Sequence, residues 1–289
     1  MAGREGGPAP EGAVFQGRGQ AGQGRRQDRR LRVGGVPQGV VGALEAELRE
    51  GESQHLLGAL KHLFRQGKGV VKVAAGAQFN VDGMGYAGGY YGCAARDAPT
   101  RLLARGKGPG GGYVTDWVGG GGGYGGVGGH ATLGGPIYGS SNAPAAPGSG
   151  GGPCNPSDSQ FNGVGGYGGG LVHVIATNGT IRIDGTVSAN GESPSTAQAA
   201  GGSGGGVWLR CRRFMGAATG IIRANGGNPQ AITSGGGGGG RIAVTDWVQD
   251  NYLGAITVNP SVSALVGGTG TVVRQMNTNQ SYWDLNVTW

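Results

Sequence analysis

The sequence predicts an all-β chain built as a stack of repeats and carrying long glycine-rich loops. Three observations lead there. One unit is written nearly twice over residues 165–247, with the start of a third. The triplets Gly168–Gly170, Gly204–Gly206 and Gly238–Gly240 lie 36 and 34 positions apart, and Ala189-Asn-Gly recurs as Ala224-Asn-Gly after 35. Self-similarity at a fixed period of this size marks a stacked repeat architecture. Between the glycine runs lie short segments that alternate in period two or read as continuous apolar runs, as strands do. Finally, glycine supplies 71 of the 289 residues, about three times its ordinary share, without the Gly-X-Y period of collagen.

Composition narrows the function classes. The net charge is +7, unevenly spread: residues 1–68 hold 11 Lys/Arg against 7 Asp/Glu, and the remaining 221 hold 12 against 9. So sparsely charged a repeat region argues against a groove that tracks phosphates, and no nucleic-acid partner is expected. Cys93, Cys154 and Cys211 form neither a dense disulfide framework nor a CxxC motif. A Cys93–Cys154 bridge and three buried free thiols are both open readings. No run approaches the roughly 18 apolar residues of a membrane span. No apolar stretch follows Met1-Ala-Gly-Arg-Glu, so these residues do not read as a signal peptide. The expectation is that any export signal lies outside this chain.

Residues 1–34 are rich in Gly, Arg and Gln and nearly free of apolar side chains, and they read as a disordered leader. Gly17-Arg-Gly and the pairs Arg25-Arg26 and Arg29-Arg30 bear a faint likeness to an RNA-binding tail, but acids interrupt the run. Residues 35–68 read as short helices forming a cap. Val41, Leu44 and Leu48 share one helical face, and Leu56, Leu57, Leu60, Leu63 and Phe64 share another. A leader without fixed structure is the equal alternative. Residues 69–289 read as the glycine-rich β-repeat domain. Val70-Val-Lys-Val and Ala77-Gln-Phe-Asn-Val-Asp-Gly alternate in period two, with Val71 and Val73 pointing one way and Phe79 and Val81 doing so again after the turn at Gly76.

From Gly88 to about Gly170 neither period holds, and so long a stretch is not an ordinary loop of a compact domain. Glycine chains can instead lie extended as threefold helices without internal hydrogen bonds, satisfying their backbones on one another. Glycine alone permits backbones to approach so closely. Beyond this excursion, Val172, Val174, Ile181, Ile183, Val187, Ile222, Ile242 and Val244 are expected to stack into a continuous core. The final residues, Tyr282-Trp-Asp-Leu-Asn-Val-Thr-Trp289, end in mid-pattern, which suggests that the remainder of a longer chain is a partner.

Ser188-Ala-Asn-Gly, Gly201-Gly-Ser-Gly-Gly-Gly-Val-Trp-Leu, Arg223-Ala-Asn-Gly-Gly, the six glycines 235–240 with Arg241-Ile-Ala-Val, and Gly267-Gly-Thr-Gly-Thr-Val together resemble a known module. It recurs in large, secreted, adhesin-like glycine-rich β-repeat proteins of bacteria and some protists. The resemblance covers roughly residues 69–275. It implies a right-handed parallel β-helix or closely related solenoid with protruding polyglycine-type loops, in an extracellular or cell-surface setting. It brings no catalytic residues. Polyglycine layers are also similar to those of phage tail-tip adhesins, in composition only.

Candidate sites are few. Parallel β-helices can host polysaccharide lyases and hydrolases, whose chemistry needs carboxylates close together on one face. Asp82, Asp184 and Asp246 are the candidates, and the first two read more simply as Asp-Gly turns. Asp is missing from the calcium-binding nonapeptide positions, and neither Gly67-Lys68-Gly69 nor Gly106-Lys107-Gly108 completes a phosphate loop. No catalytic, cofactor or metal residues are therefore assigned. Among the aromatics, Tyr113, Trp117, Tyr124 and Tyr138 are assigned to ligand binding, because flat amphipathic rings in glycine loops suit stacking on carbohydrate. Their alternative role is to cover the glycine layer. The resulting expectation is a non-catalytic structural or adhesive module that binds carbohydrate or another surface component, with a carbohydrate-active enzyme as the competing reading.

Overall fold

The computed structural model describes residues 59–63, 69–90, 104–114, 118–130, 132–154, 163–195, 198–262 and 265–277. Among these residues eleven strands form: β1 (Ala59–Leu63), β2 (Val70–Val73), β3 (Gln78–Asn80), β4 (Leu171–Ile183), β5 (Thr186–Ser188), β6 (Gly206–Gly216), β7 (Ile221–Arg223), β8 (Arg241–Trp247), β9 (Gln249–Tyr252), β10 (Ala255–Thr257) and β11 (Thr271–Met276). Among the described residues there is no helix. The strands make two sheets. The larger runs β1-β4-β6-β8-β11, with β2 on β4 and β9 on β6, and the smaller runs β10-β7-β5-β3. Every pairing among these eleven strands is parallel.

The sequence period is the pairing register. Leu171 lies beside Gly206, Gly206 beside Arg241, and Arg241 beside Thr271. In the smaller sheet Val187 lies beside Phe79 and Ile222, and Ile222 beside Ile256. Parallel registry brings like residues of successive repeats into rows, so one inward position per repeat builds a continuous column of apolar side chains. Val172, Val207 and Ile242 form one row, and Leu209 and Val244 the next with half-buried Val174. These rows and Val187, Ile222, Ala224 and Val258 belong to a single core cluster shared by both sheets. All eight residues expected in the core lie in it or pack against it, Val174 being partly buried.

The larger sheet is interrupted at one level across its width. β1 pairs with β4 as far as Ile175 and β2 resumes at Thr180; β8 pairs with β6 as far as Arg210 and β9 resumes at Arg213. Within β6 the inward parity also shifts: Cys211 and Phe214 are both buried, and Arg212 and Arg213 both face away from the core. A bulge of this kind bends a strand.

One expectation changes here. The i,i+3 spacing of Leu60 and Leu63 suggested a helix, yet Ala59–Leu63 is a strand in register with Leu171–Ile175. A short apolar run cannot be told from a helical turn by period alone, and pairing with a long neighbouring strand decides the matter. The sheet therefore reaches upstream of residue 69. The rest of the expected cap, and the leader 1–34, lie outside the described residues.

Between strands the chain runs through glycine segments that bond to one another. Residues 235–240 show the pattern. The N–H groups of Gly235 and Gly238 donate to Gly119 and Gly122, those of Gly236 and Gly239 to Leu265 and Gly268, and those of Gly237 and Gly240 to Gly227 and Ala224. Their carbonyls accept from these and further neighbours, Gly235 and Gly238 from Gly201 and Gly204, Gly236 from Gly129, Gly239 from Gly126 and Gly237 from Ser261. Six surrounding segments thus share one segment, and successive residues point to different neighbours with a period of three. Residues 201–205 repeat this: Gly201 and Gly204 donate to Gly235 and Gly238, Gly202 and Gly205 to Glu192 and Ala189, and Ser203 to Ser149. Strands bond in period two to at most two neighbours, so these segments are a different kind of structure.

Close approach, not unusual dihedrals, demands the glycines. Only Gly76, Gly83, Gly108 and Gly139 among the described glycines take positive φ. A Cβ on Gly237 would lie 1.9 Å from the carbonyl oxygen of Gly202, and one on Gly121 1.9 Å from that of Gly236. Cα hydrogens face the neighbouring backbone at these points, and no larger group fits.

Candidate functional site

The glycine lattice, its aromatic residues and the acids along its junction with the strands hold the candidate residues. Tyr124 is fully buried within the lattice. Its ring lies 4.7 Å from that of Tyr138, and the Arg241 guanidinium sits 5.5 Å from its centroid. Burial pushes its phenol up to about 12. Tyr124 therefore cannot present a stacking face to a carbohydrate, which corrects the expectation for this residue. The Tyr138 ring and the Arg241 side chain lie against it.

Tyr138 is half-buried beside it and is fixed by its hydroxyl. Gly110 N–H donates to Ser149 Oγ at 3.0 Å, Ser149 Oγ–H donates to Tyr138 Oη at 2.9 Å, and Tyr138 O–H donates to the Pro147 carbonyl. Burial raises the Tyr138 phenol too, against the opposing hydrogen bond from Ser149. Of the assigned aromatics, Tyr113 is exposed, with Arg105 5.6 Å from its ring centroid. Trp117 lies outside the described residues. Tyr90 and Tyr167 are also exposed.

Arg241 ties the lattice to the sheets. It is buried at the first residue of β8, donating through Nε to the Tyr138 carbonyl at 2.9 Å and through Nη1 to Thr271 Oγ1 at 3.0 Å. A buried guanidinium needs such partners, and here they come from the long excursion and from the neighbouring repeat.

The three Asp candidates are separated and engaged. Asp82 follows β3, where Ser188 Oγ–H and Asn190 N–H both donate to its Oδ1 at 2.6 Å. It begins a ladder. Asn190 Oδ1 accepts from Asn225 N–H at 2.8 Å, and Asn225 Oδ1 from Asn259 N–H at 2.8 Å. The recurrent Ala-Asn-Gly is thus a hydrogen-bonding position at which each side chain holds the next repeat's backbone. Asp82 is the first rung of this series rather than an isolated turn.

Asp184 lies between β4 and β5. It accepts from Arg182 Nε at 2.7 Å and from Ala217 N–H at 3.0 Å, and Lys72 approaches to 3.9 Å. The bond from Arg182 leads in holding its carboxyl below the ordinary range, and the Ala217 amide and the Arg182 and Lys72 charges act with it.

Asp246 is the penultimate residue of β8, just before the interruption that precedes β9, with φ of 65°, and accepts from Arg210 Nε at 2.7 Å. Arg210 in turn lies 5.6 Å from the Trp208 ring centroid, and Trp208 stacks on His173 at 4.3 Å. The left-handed residue lets Thr245 accept from Trp208 Nε1 at 3.2 Å while Trp247 packs against the core. This accounts for Thr245-Asp-Trp; its counterpart at residues 115–117 lies outside the described residues.

No group of three or more His, Cys, Asp or Glu suited to a metal occurs among the described residues. Cys154 and Cys211 are buried free thiols, with burial pushing Cys211 up to about 12, and Cys93 lies outside the described residues. The roles of Asn225, Asn259, Ser149 and Arg241 were missed from sequence. The 35-residue recurrence of Ala-Asn-Gly was the one available signal, for Asn225. Comparison with protein-family models, with curated proteins and with solved structures finds no match to this chain.

Proposed function

We propose that the chain is a non-catalytic structural and adhesive module of a secreted or cell-surface protein. In this reading it is a right-handed parallel β-helix whose turns are completed by polyglycine-type threefold segments, as in the glycine-rich β-repeat proteins it resembles. Each repeat would contribute the two halves of a long strand, one short strand and an out-and-back glycine pair. The carrying observation is the segment 235–240, whose N–H and C=O groups are distributed in period three over six neighbouring segments. Backbone bonding in several directions makes a stiff layer from residues that offer no reactive group, which suits a spacer or a display surface. The Asp side chains support the same reading, since Asp184 and Asp246 are paired with arginines and Asp82 is spent in the ladder.

The test incubates the protein with a panel of polysaccharides and measures bound protein and released reducing or unsaturated ends together. The expected result is binding without products, lost in Tyr113→Ala or Trp117→Ala with the fold retained. Released ends would overturn the non-catalytic reading and make the Asp residues the next targets.

A further inference from the structure

Along the outer face of the larger sheet, the described cations have carboxylate partners except at one level. Arg182 pairs with Asp184, Lys72 lies 3.9 Å from the same carboxylate, and Arg210 pairs with Asp246. Arg212 and Arg213, both turned away from the core, take part in no ion pair among the described residues. Asp184 and Asp246 are the described carboxylates that reach this face, and each already holds an arginine.

The strand interruption sets the two free arginines side by side. Successive residues of a regular strand point to opposite faces, so neighbours cannot both face out. The irregularity after Cys211 breaks that rule at Arg212 and Arg213, while Cys211 and Phe214 stay buried. The backbone that carries them is held on both sides. Arg213 lies beside Thr180 of β4 and Gln249 of β9, and the Arg212 carbonyl accepts from Val248 N–H at 2.9 Å. Around them the exposed side chains are polar and uncharged, Thr177 and Asn178 at the same level of β4 and Gln249 and Asn251 on β9.

We propose that this face, centred on Arg212 and Arg213, binds an acidic polysaccharide through the carboxylates or sulfates of its sugar units. A guanidinium presents a planar fork that takes such an oxyanion by two parallel hydrogen bonds. Two adjacent forks on a fixed sheet lose little freedom when they engage successive anions. The surrounding hydroxyl and amide groups suit sugar hydroxyls. A nucleic acid fits less well. Its phosphates would need roughly six to ten cationic contacts, and its bases an open aromatic face. Trp208 offers no such face: its ring stacks on His173 at 4.3 Å, carries Arg210 at 5.6 Å and is anchored through Nε1 to Thr245. The site rests on the adhesive reading above, with the contact on the strands rather than in the glycine loops.

Binding of the full chain to polygalacturonate and to dextran sulfate tests this. The controls are the methyl-esterified polymer and plain dextran, with duplex DNA as a second polyanion. At least one acidic form should bind tenfold or more tightly than its neutral counterpart. That binding should weaken roughly tenfold between about 50 mM and about 200 mM salt, as for about two anion contacts. Arg212→Gln combined with Arg213→Gln should remove the advantage and leave binding of neutral polysaccharides unchanged. Arg213→Glu, at the more exposed of the two positions, supplies the same contrast if the double variant unfolds. Neutral polysaccharides bound as tightly as both acidic ones would overturn the site and leave the adhesive reading in place. Acid-specific binding that survives these substitutions, or tighter binding to duplex DNA, would also overturn it. Failure of every polysaccharide to bind would overturn the site and the adhesive reading together.

Discussion

The strand core and the glycine lattice satisfy the same backbone groups by opposite means. In the core, period-two pairing leaves both faces free for side chains, and rows such as Val172, Val207 and Ile242 bury apolar surface. At residues 235–240 of the lattice, period-three pairing distributes bonds over six neighbours, and Cα hydrogens face neighbouring backbone where a strand would carry side chains. The first region draws its stability from side-chain burial, the second from the absence of side chains. They should therefore fail differently when mutated.

The largest effect is expected in the core. Phe214 is fully buried and stacks on Tyr252 with centroids 4.7 Å apart. Phe214→Ala should cost about 4 kcal/mol in denaturant unfolding, since removing a large buried ring leaves a cavity. Next comes adding one carbon to the lattice: Gly237→Ala places a methyl 1.9 Å from a backbone oxygen and should cost about 3 kcal/mol. Gly69→Ala meets nothing within 4 Å and should change stability by less than about 0.5 kcal/mol. Equal effects at Gly237 and Gly69 would erase the distinction between the regions.

Alkali should act on both. Tyr124 in the lattice, and Tyr252 and Cys211 in the core, are each pushed up to about 12, chiefly by burial. Their folded values lie above the unfolded ones, so the unfolded chain releases its protons first. Stability holds below the ordinary thiol and phenol range and falls as pH rises through about 12. Chemical denaturation at pH 8 and pH 11 should show the fall, and Tyr124→Phe should remove the lattice's share. Among the destabilising changes the smallest effect belongs to the ladder. Asn225→Ala deprives Asn259 N–H of its acceptor and should cost about 1 kcal/mol.

The sequence carried the strands better than the junctions. The 35-residue recurrence became the register itself, because parallel stacking places like residues side by side. Glycine's close approach was also foreseeable, being a matter of size alone. Three other features were not legible. Ala59–Leu63 looked helical because five residues cannot separate the two periods, and its partner β4 lies more than 100 positions onward. Tyr124 looked like an exposed loop aromatic, since nothing local reveals that its glycine neighbours are surrounded by other segments. Asp246 adopts a left-handed conformation that only its ion pair with Arg210 and the strand interruption explain.

The central claim is that the glycine runs are a bonded threefold lattice rather than loops. Scalar couplings across hydrogen bonds, measured by NMR on the deuterated protein, test it most directly at residues 235–240. The expected couplings join Gly235 N–H to the Gly119 carbonyl, Gly236 to Leu265 and Gly237 to Gly227, with Gly238 returning to Gly122. Alternation in period two, or glycine amides that show no coupling and exchange at open-chain rates, would contradict it.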